Sequence, residues 1–324
     1  MTTIPPAFRS FVSENEPLSR HTTLAVGGPA RWFARVDGRE DLRALVRHCG
    51  TEGIALIYLG AGSNVLVSDR GFTGCVVRLG GAFCEIDHEV LDARAIVRAG
   101  AAVKLGKLLR YGFDHGLCGL QSCAGIPGTV GGAVMMNAGS KLGEMKDSFL
   151  DCELLHRDGL VEVRDREAMR FAYRTSSIGA DELVLSARFN TTRGPVDALR
   201  DEVERFLEFR KATQPLQFHN CGSVFSNPPG DAAGRLIEAC GLKGARVGGA
   251  EIAEQHANWI LNRGAATATD VLALIQLARN SVRERFGVVL HTELRLLGDW
   301  TADEIDSIRE TTNDTSYSRG GGAS

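Results

Sequence analysis

A chain of 324 residues with 44% hydrophobic and 24% charged side chains has the composition of a soluble globular protein, long enough for two or three domains around a sizeable core. The formal net charge of −3 excludes the strongly basic profile of a protein that binds nucleic acid or anionic membrane. No apolar run approaches the roughly 18 residues that cross a bilayer, and residues 1–13 lack a basic stretch leading into an apolar one. Neither membrane insertion nor an export signal is expected, and the cytoplasm is the expected compartment.

Arg31 to Val36 reads as a strand, and Leu42, Leu45, Val46 and Cys49 then fall at helical spacing over 39–53. Ile54 to Leu59 reads as a buried strand, so strand, helix and strand make a βαβ unit and part of the sheet is expected to be parallel. Tyr58 leads into Gly60-Ala61-Gly62-Ser63-Asn64-Val65-Leu66, with 63–67 extended and Asp69 to Phe72 a turn. A Rossmann loop would need a third glycine where Val65 stands, and a helix after it; this segment has neither. Short strands follow at 75–79, 95–99 and 184–189, with a helix over 103–116 whose Leu105, Leu108, Leu109, Gly112 and Phe113 trace one face. Val196, Leu199, Val203, Phe206 and Leu207 predict an amphipathic helix that Pro215 ends. A helix over 231–240 stops at Gly241, and a longer one over 269–286 has Thr269 and Asp270 as candidate N-caps and Gly287 beyond its end. A closing strand is expected over 288–296, and the polar stretch from Thr301 reads as disordered.

Two glycine-dense runs, 60–66 and 124–139, carry the strongest chemical signal. Glycines interleaved with small hydroxyl residues and asparagine let the backbone approach a polyanion and aim several N–H groups at it. Two such runs suit a large phosphorylated cofactor gripped from two sides, a dinucleotide better than a single phosphate. The eight cysteines (Cys49, Cys75, Cys84, Cys118, Cys123, Cys152, Cys221, Cys240) form no CxxC pair, and the eight histidines no HExxH, so buried free thiols and no metal are expected.

Three further segments hold candidate chemistry. Arg174, in Tyr173-Arg174-Thr175-Ser176-Ser177, has the fork to pair a carboxylate, and equally the reach to stabilise a surface loop. Ser223, after Gly222, sits where a tight bend would present its hydroxyl, although Gly-Ser is common in ordinary turns; no GxSxG elbow accompanies it. In 290–296, strand alternation puts Leu290, Thr292, Leu294 and Leu296 on one face and His291, Glu293 and Arg295 on the other. Glu293 there is either functional or the partner of a neighbouring cation.

Taken in order, GAGSNVLVSD (60–69), AGIPGTVGGAVMMNAG (124–139), YRTSS (173–177), CGSVFSNP (221–228), AGRLIEACGLKG (233–244), HANWILN (256–262) and LHTEL (290–294) resemble one family. That family is UDP-N-acetylenolpyruvoylglucosamine reductase, the flavoenzymes that make UDP-N-acetylmuramate for peptidoglycan. The short connection from Arg174 to the strand near Val184 resembles its compact second type. The resemblance implies an α+β fold: a two-part FAD-binding unit of the vanillyl-alcohol-oxidase type over 20–75 and 76–195, a substrate-binding α/β domain over 196–300, and a disordered tail over 301–324. It implies that FAD is held by Tyr58, Gly60, Ala61, Gly62, Ser63, Asn64, Val65 and Leu66. A second set, Gly125, Ile126, Pro127, Gly128, Thr129, Gly132, Ala133, Asn137, Ala138 and Gly139, is implied to hold it from the other run.

The same resemblance implies NADPH as hydride donor and a sugar nucleotide as substrate, bound by Tyr173, Arg174 and Asn227. Arg174 and Glu293 would stabilise charge on the substrate carboxylate, the glutamate doing so only if it is protonated or orients a donor. Ser223 would donate a proton to C2. Ser226 departs from the pattern, since a basic residue is usual there; Arg210, Lys211, Lys243 and Arg246 are the candidates to compensate at the diphosphate. The rivals are a flavin oxidase of the same fold and a non-catalytic sugar-nucleotide-binding module, and the absorbance of bound flavin separates the second from an enzyme.

Overall fold

The computed structural model describes residues 3–308. The chain divides into two compact units. The first comprises Met1–Ser13, Phe33–Ala61 and Cys75–Arg210; the second comprises Glu14–Trp32, Gly62–Gly74 and Lys211–Ser324.

The N-terminal third forms β1 (Val12–Pro17), β2 (Pro29–Val36), α1 (Arg39–Thr51), β3 (Leu56–Tyr58), β4 (Val65–Val67) and β5 (Phe72–Leu79). Helix α1 buries Leu42, Leu45, Val46 and Cys49, the stripe its spacing predicts. The sheet order is β1-β2-β5-β3, and the parallel pair is β3 with β5, Leu56 opposite Cys75 and Tyr58 opposite Val77. The βαβ reading therefore holds with one change: β5 intervenes between the two strands that α1 connects.

The first unit is built on a second sheet. Its elements are β6 (Ile86–Leu91), β7 (Arg94–Gly100), α2 (Leu105–Asp114), β8 (Leu117–Cys118), α3 (Val130–Met135), the short pair β9 (Gly139–Ser140) and β10 (Gly143–Glu144), and α4 (Met145–Ser148). They continue with β11 (Phe149–Leu155), β12 (Val161–Asp165), β13 (Leu183–Arg193) and α5 (Asp197–Thr213). The strands run β12-β11-β13-β7-β6, antiparallel throughout. Alternate residues Ala95, Val97 and Ala99 of β7 face a core completed by Leu105 and Leu108 of α2, Val130 and Val134 of α3, and Phe149 and Phe189. Gly112 lets α2 sit close: a Cβ there would lie 3.0 Å from Leu120 and 3.1 Å from the Leu117 carbonyl.

The second unit contains β14 (His219–Ser223), α6 (Ala233–Ala239), β15 (Arg246–Val247), β16 (Ala250–Ile252), β17 (Trp259–Asn262), α7 (Ala268–Phe286), β18 (Arg295–Leu297) and α8 (Ala302–Asp306). Its sheet, β14-β17-β16-β15, packs Ile252 and Ile260 against Leu236 and Ile237 of α6 and Leu274, Ile275 and Val282 of α7. The N-cap of α7 is Thr267, not Thr269 or Asp270: Thr267 and Asp270 form a capping box, while Gly287 ends the helix at φ 69°.

Two sequence readings change here. The expected strand over 288–296 is continuous only at Arg295–Leu297; before it, 290–294 is an extended segment with a single bridge, Phe225 to Thr292. The stretch from Thr301 begins with order, because α8 is capped by Thr301 and Ile308 is buried in the core of this unit. Residues 309–324 of the expected tail lie outside the described residues. Among the described residues no helix is long and apolar enough to cross a membrane.

Candidate functional site

In the first unit the two glycine runs meet. The Leu59 N–H donates to the Val77 carbonyl at 2.9 Å, which carries the end of β3 into the first loop. A Cβ on Gly60 would stand 2.6 Å from Thr129 Oγ1, so the missing side chain lets the Gly60 backbone sit against that hydroxyl. The second run is pinned from behind by bonds from Leu105 to Gly128, Val130 to Val103 and Gly131 to Ala101. Gly125 adopts φ 66°, and the Arg210 guanidinium donates to its carbonyl. Burial lowers the pKa of Arg210. Among the described residues the N–H groups of Gly60 and Ala61 donate to no backbone carbonyl, which leaves them suited to an anionic ligand. The close approach and these donors fit the phosphate-rich cofactor expected from sequence.

The structure gives two of the residues expected at the cofactor distinct surroundings. The Tyr58 hydroxyl is buried without a hydrogen-bond partner, and burial, with the nearby Asp181, Cys49 and Cys75, raises its pKa. Asn137 is fully buried, and its side-chain amide is spent on the protein: Nδ2 donates to Glu144 Oε2 at 3.1 Å and to the Ala172 carbonyl at 2.9 Å, while Oδ1 accepts from the Lys146 N–H at 3.0 Å.

Arg174 lies in the same unit, on a four-residue turn closed by Ala172 and Thr175. Its φ of 55° is left-handed, a conformation normally taken by glycine at the second central position of such a turn. The guanidinium donates to the Gly139 carbonyl at 3.1 Å, lies 3.7 Å from Glu144, and stacks over the exposed Tyr173 ring at 4.8 Å.

The second unit brings together Ser223, Glu293 and the Asn64 end of the first glycine loop. Ser223 pairs with Trp259 across an irregularity in β14, after Gly222 at φ 77° whose N–H donates to Asn220 Oδ1. Next in the chain, the Val224 carbonyl accepts from the Glu293 N–H at 2.8 Å. Asn64 Nδ2 donates to the Glu293 carbonyl at 3.0 Å, and the Arg295 N–H returns to the Asn64 carbonyl at 3.0 Å. Beyond that point β4 and β18 run parallel, Val65 opposite Arg295 and the buried Leu66 opposite Leu296. Gly62, at φ 66°, is hemmed in by the His21 carbonyl.

Asn258, which lies in the HANWILN run but has no role assigned from sequence, clamps Phe225 from both sides: Phe225 N–H donates to its Oδ1 at 2.9 Å, and its Nδ2 donates to the Phe225 carbonyl at 2.8 Å. Asn227, expected at the substrate, gives its Oδ1 to the Ala233 N–H at the start of α6. Ser226 bonds to the His291 carbonyl. Of the candidate cations, Lys243 pairs with Glu238 at 2.7 Å and Arg246 Nε with Glu251 at 2.6 Å. Elsewhere in the first unit His156, Glu162 and Glu182 cluster, but Arg164 bonds both carboxylates, so the group is knit together as an ion-pair network.

Residues 30–164 match the FAD binding domain family, so fold and loops together define an FAD-dependent flavoprotein. Residues 214–297 match the C-terminal domain of UDP-N-acetylenolpyruvoylglucosamine reductase. The reductase of that name from Heliobacterium modesticaldum is 42% identical over 92% of this chain and 95% of its own length. That from Moorella thermoacetica is 44% identical over 89% and 94%. The crystal structure of the Thermus caldophilus enzyme superposes with a TM-score of 0.72 at 38% identity, covering 88% of this chain and 97% of that one. The chain belongs to the UDP-N-acetylenolpyruvoylglucosamine reductase family.

Proposed function

We propose that this protein reduces the enolpyruvyl group of UDP-N-acetylglucosamine enolpyruvate to give UDP-N-acetylmuramate, with NADPH as reductant, as a cytoplasmic step of peptidoglycan synthesis. Membership of the reductase family over nearly the whole chain carries this reading. Bound FAD supplies the hydride relay from NADPH to C3 of the substrate. The glycine runs 60–66 and 125–139 would hold it through backbone N–H groups, with Gly60 and Thr129 in close approach.

The chain's own residues handle charge and the proton. Hydride arriving at C3 pushes electrons toward the substrate carboxylate, and the Arg174 guanidinium compensates that charge as it develops. Ser223 Oγ gives its proton to C2; an enolate carbon is a much stronger base than an alkoxide, so an aligned hydroxyl suffices. Positioned proton transfer is worth roughly 10²–10⁴ in rate. Glu293 acts beside Ser223, and the bond from its N–H to the Val224 carbonyl supports this pairing. Tyr173, exposed beside Arg174, is a substrate contact in this reading. Asn227 contributes through whatever its cap on α6 leaves available.

Anaerobic spectroscopy tests the proposal. NADPH should bleach the flavin absorbance of the purified protein, and the enolpyruvyl sugar nucleotide should restore it with formation of the muramate. Bleaching that this substrate does not reverse would point to another flavin-dependent reaction.

A further inference from the structure

Arg174 is the one residue of the proposed catalytic set whose backbone is strained, and two side chains, Asn137 and Glu144, link its turn to its guanidinium. Its turn is closed by mutual bonds of Ala172 and Thr175, N–H to carbonyl at 3.0 and 3.3 Å. The Ala172 carbonyl also accepts from Asn137 Nδ2 at 2.9 Å. The same Nδ2 donates to Glu144 Oε2 at 3.1 Å, and the other carboxylate oxygen, Oε1, lies 3.7 Å from the Arg174 guanidinium. Lys146 closes the circuit: its Nζ pairs with Glu144 Oε2 at 2.6 Å and its N–H donates to Asn137 Oδ1. Asn137 is itself left-handed, at φ 42°. Two strained residues tied to one carboxylate are what a preorganised site requires, because strain persists only where the surroundings over-determine it.

We infer that Glu144, braced by Asn137, is a positioning residue for Arg174: it aims the guanidinium at the substrate carboxylate without itself touching substrate. The inference rests on the proposed role of Arg174. The carboxylate is suited to the task. Burial would raise its pKa, but hydrogen bonds from Lys146 and Asn137 and the charges of Lys146 and Arg174 outweigh this and hold it below the ordinary value, so it is an anion at neutral pH. Lys146 offsets the charge that Glu144 places beside Arg174, so the group of three keeps a net positive charge for an incoming carboxylate. In this role the side chain of Asn137 serves the arginine and not the cofactor.

The test uses the flavin-loaded protein and its two half-reactions, measured separately under anaerobic conditions. Glu144→Gln keeps the size and the acceptor for Asn137 but removes the charge. NADPH should bleach the flavin of this variant at the wild-type rate, while reoxidation by the enolpyruvyl substrate slows about 10–100-fold, the scale of a misplaced catalytic group. Glu144→Asp, which restores the charge, should recover part of that loss. In an Arg174→Ala background Glu144→Gln should add less than about threefold, because the residue through which it acts is gone.

Equal slowing of both half-reactions, wild-type reoxidation, or the full effect persisting in the Arg174→Ala background would each overturn the inference. Wild-type reoxidation by Arg174→Ala alone would instead refute the role of Arg174 on which it rests. If Glu144→Gln fails to load flavin, Glu144→Asp alone and combined with Arg174→Ala is read by the same criteria.

Discussion

Asp69 closes the run GAGSNVLVSD, and its carboxylate caps a helix. Oδ1 accepts from the Ala268 N–H at 2.7 Å, and Oδ2 accepts from the Thr269 N–H and hydroxyl at 2.8 Å each. Thr267 and Asp270 satisfy each other's N–H groups, so Asp69 takes the two remaining donors of the first turn of the 19-residue α7. Asp69→Ala strands both. Loss of an exposed capping acceptor costs about 1 kcal/mol, and loss of a negative charge at a helix N-terminus a further ~0.3–1 kcal/mol. Together these predict about 1–2 kcal/mol, a fall in melting temperature of roughly 2–6 °C for a chain of this size. Asp69→Asn, which keeps one acceptor, should fall between. Thermal unfolding followed by circular dichroism reads the loss, and the flavin-to-protein ratio and the rate of flavin reduction should stay at wild-type values. An unchanged melting temperature, or a loss of flavin without a loss of stability, would refute this assignment.

Gly53 and Gly62 share a left-handed φ, 65° and 66°, but a Cβ on Gly53 meets nothing within 4 Å while one on Gly62 stands 2.2 Å from the His21 carbonyl. Gly53→Ala should therefore cost about 1–2 kcal/mol from backbone conformation alone, and Gly62→Ala clearly more, with reduced flavin content; equal costs by chemical denaturation would contradict the crowding argument. The second prediction concerns pH. Burial holds the pKa of His256 below its ordinary 6.5, so the unfolded chain takes up a proton first as pH falls from 6.5. Stability should drop from there until pH passes the folded-state pKa, and then level off. Protonation at Nδ1 would also forfeit the acceptor of the Asn258 N–H. His256→Gln should flatten this part of a stability–pH profile, and an identical slope in the variant would count against it.

What the sequence reveals follows the range of the interactions involved. The stripes Leu42-Leu45-Val46-Cys49 and Leu105-Leu108-Leu109 are set by local periodicity and appear as read. The burial alternation of 290–296 is also local: Leu290, Leu294 and Leu296 are buried as expected. Its strand pairing is not local: the Glu293 N–H donates to the Val224 carbonyl and Ser226 donates to the His291 carbonyl, where a full ladder would need a neighbour along the whole length. The α7 cap lies two residues before Thr269 and three before Asp270, because Thr267, Thr269 and Asp270 are all acceptable caps by type and only the chain's path selects Thr267. Bonds spanning long separations carry no signal in spacing. Asp69 to Ala268, Asn64 to Glu293, Asn258 to Phe225 and Asn137 to Ala172 are of this kind. They determine which polar residues in the motifs hold backbone and which remain for ligand.

The proton-donor role of Ser223 is where this account is most exposed. Ser223→Ala removes one oxygen, and reduction of the flavin by NADPH does not use it. In anaerobic stopped-flow the variant should bleach its flavin at the wild-type rate, and reoxidation by the enolpyruvyl substrate should be at least about 10²-fold slower. Both half-reactions proceeding at wild-type rates would contradict the mechanism proposed for this chain.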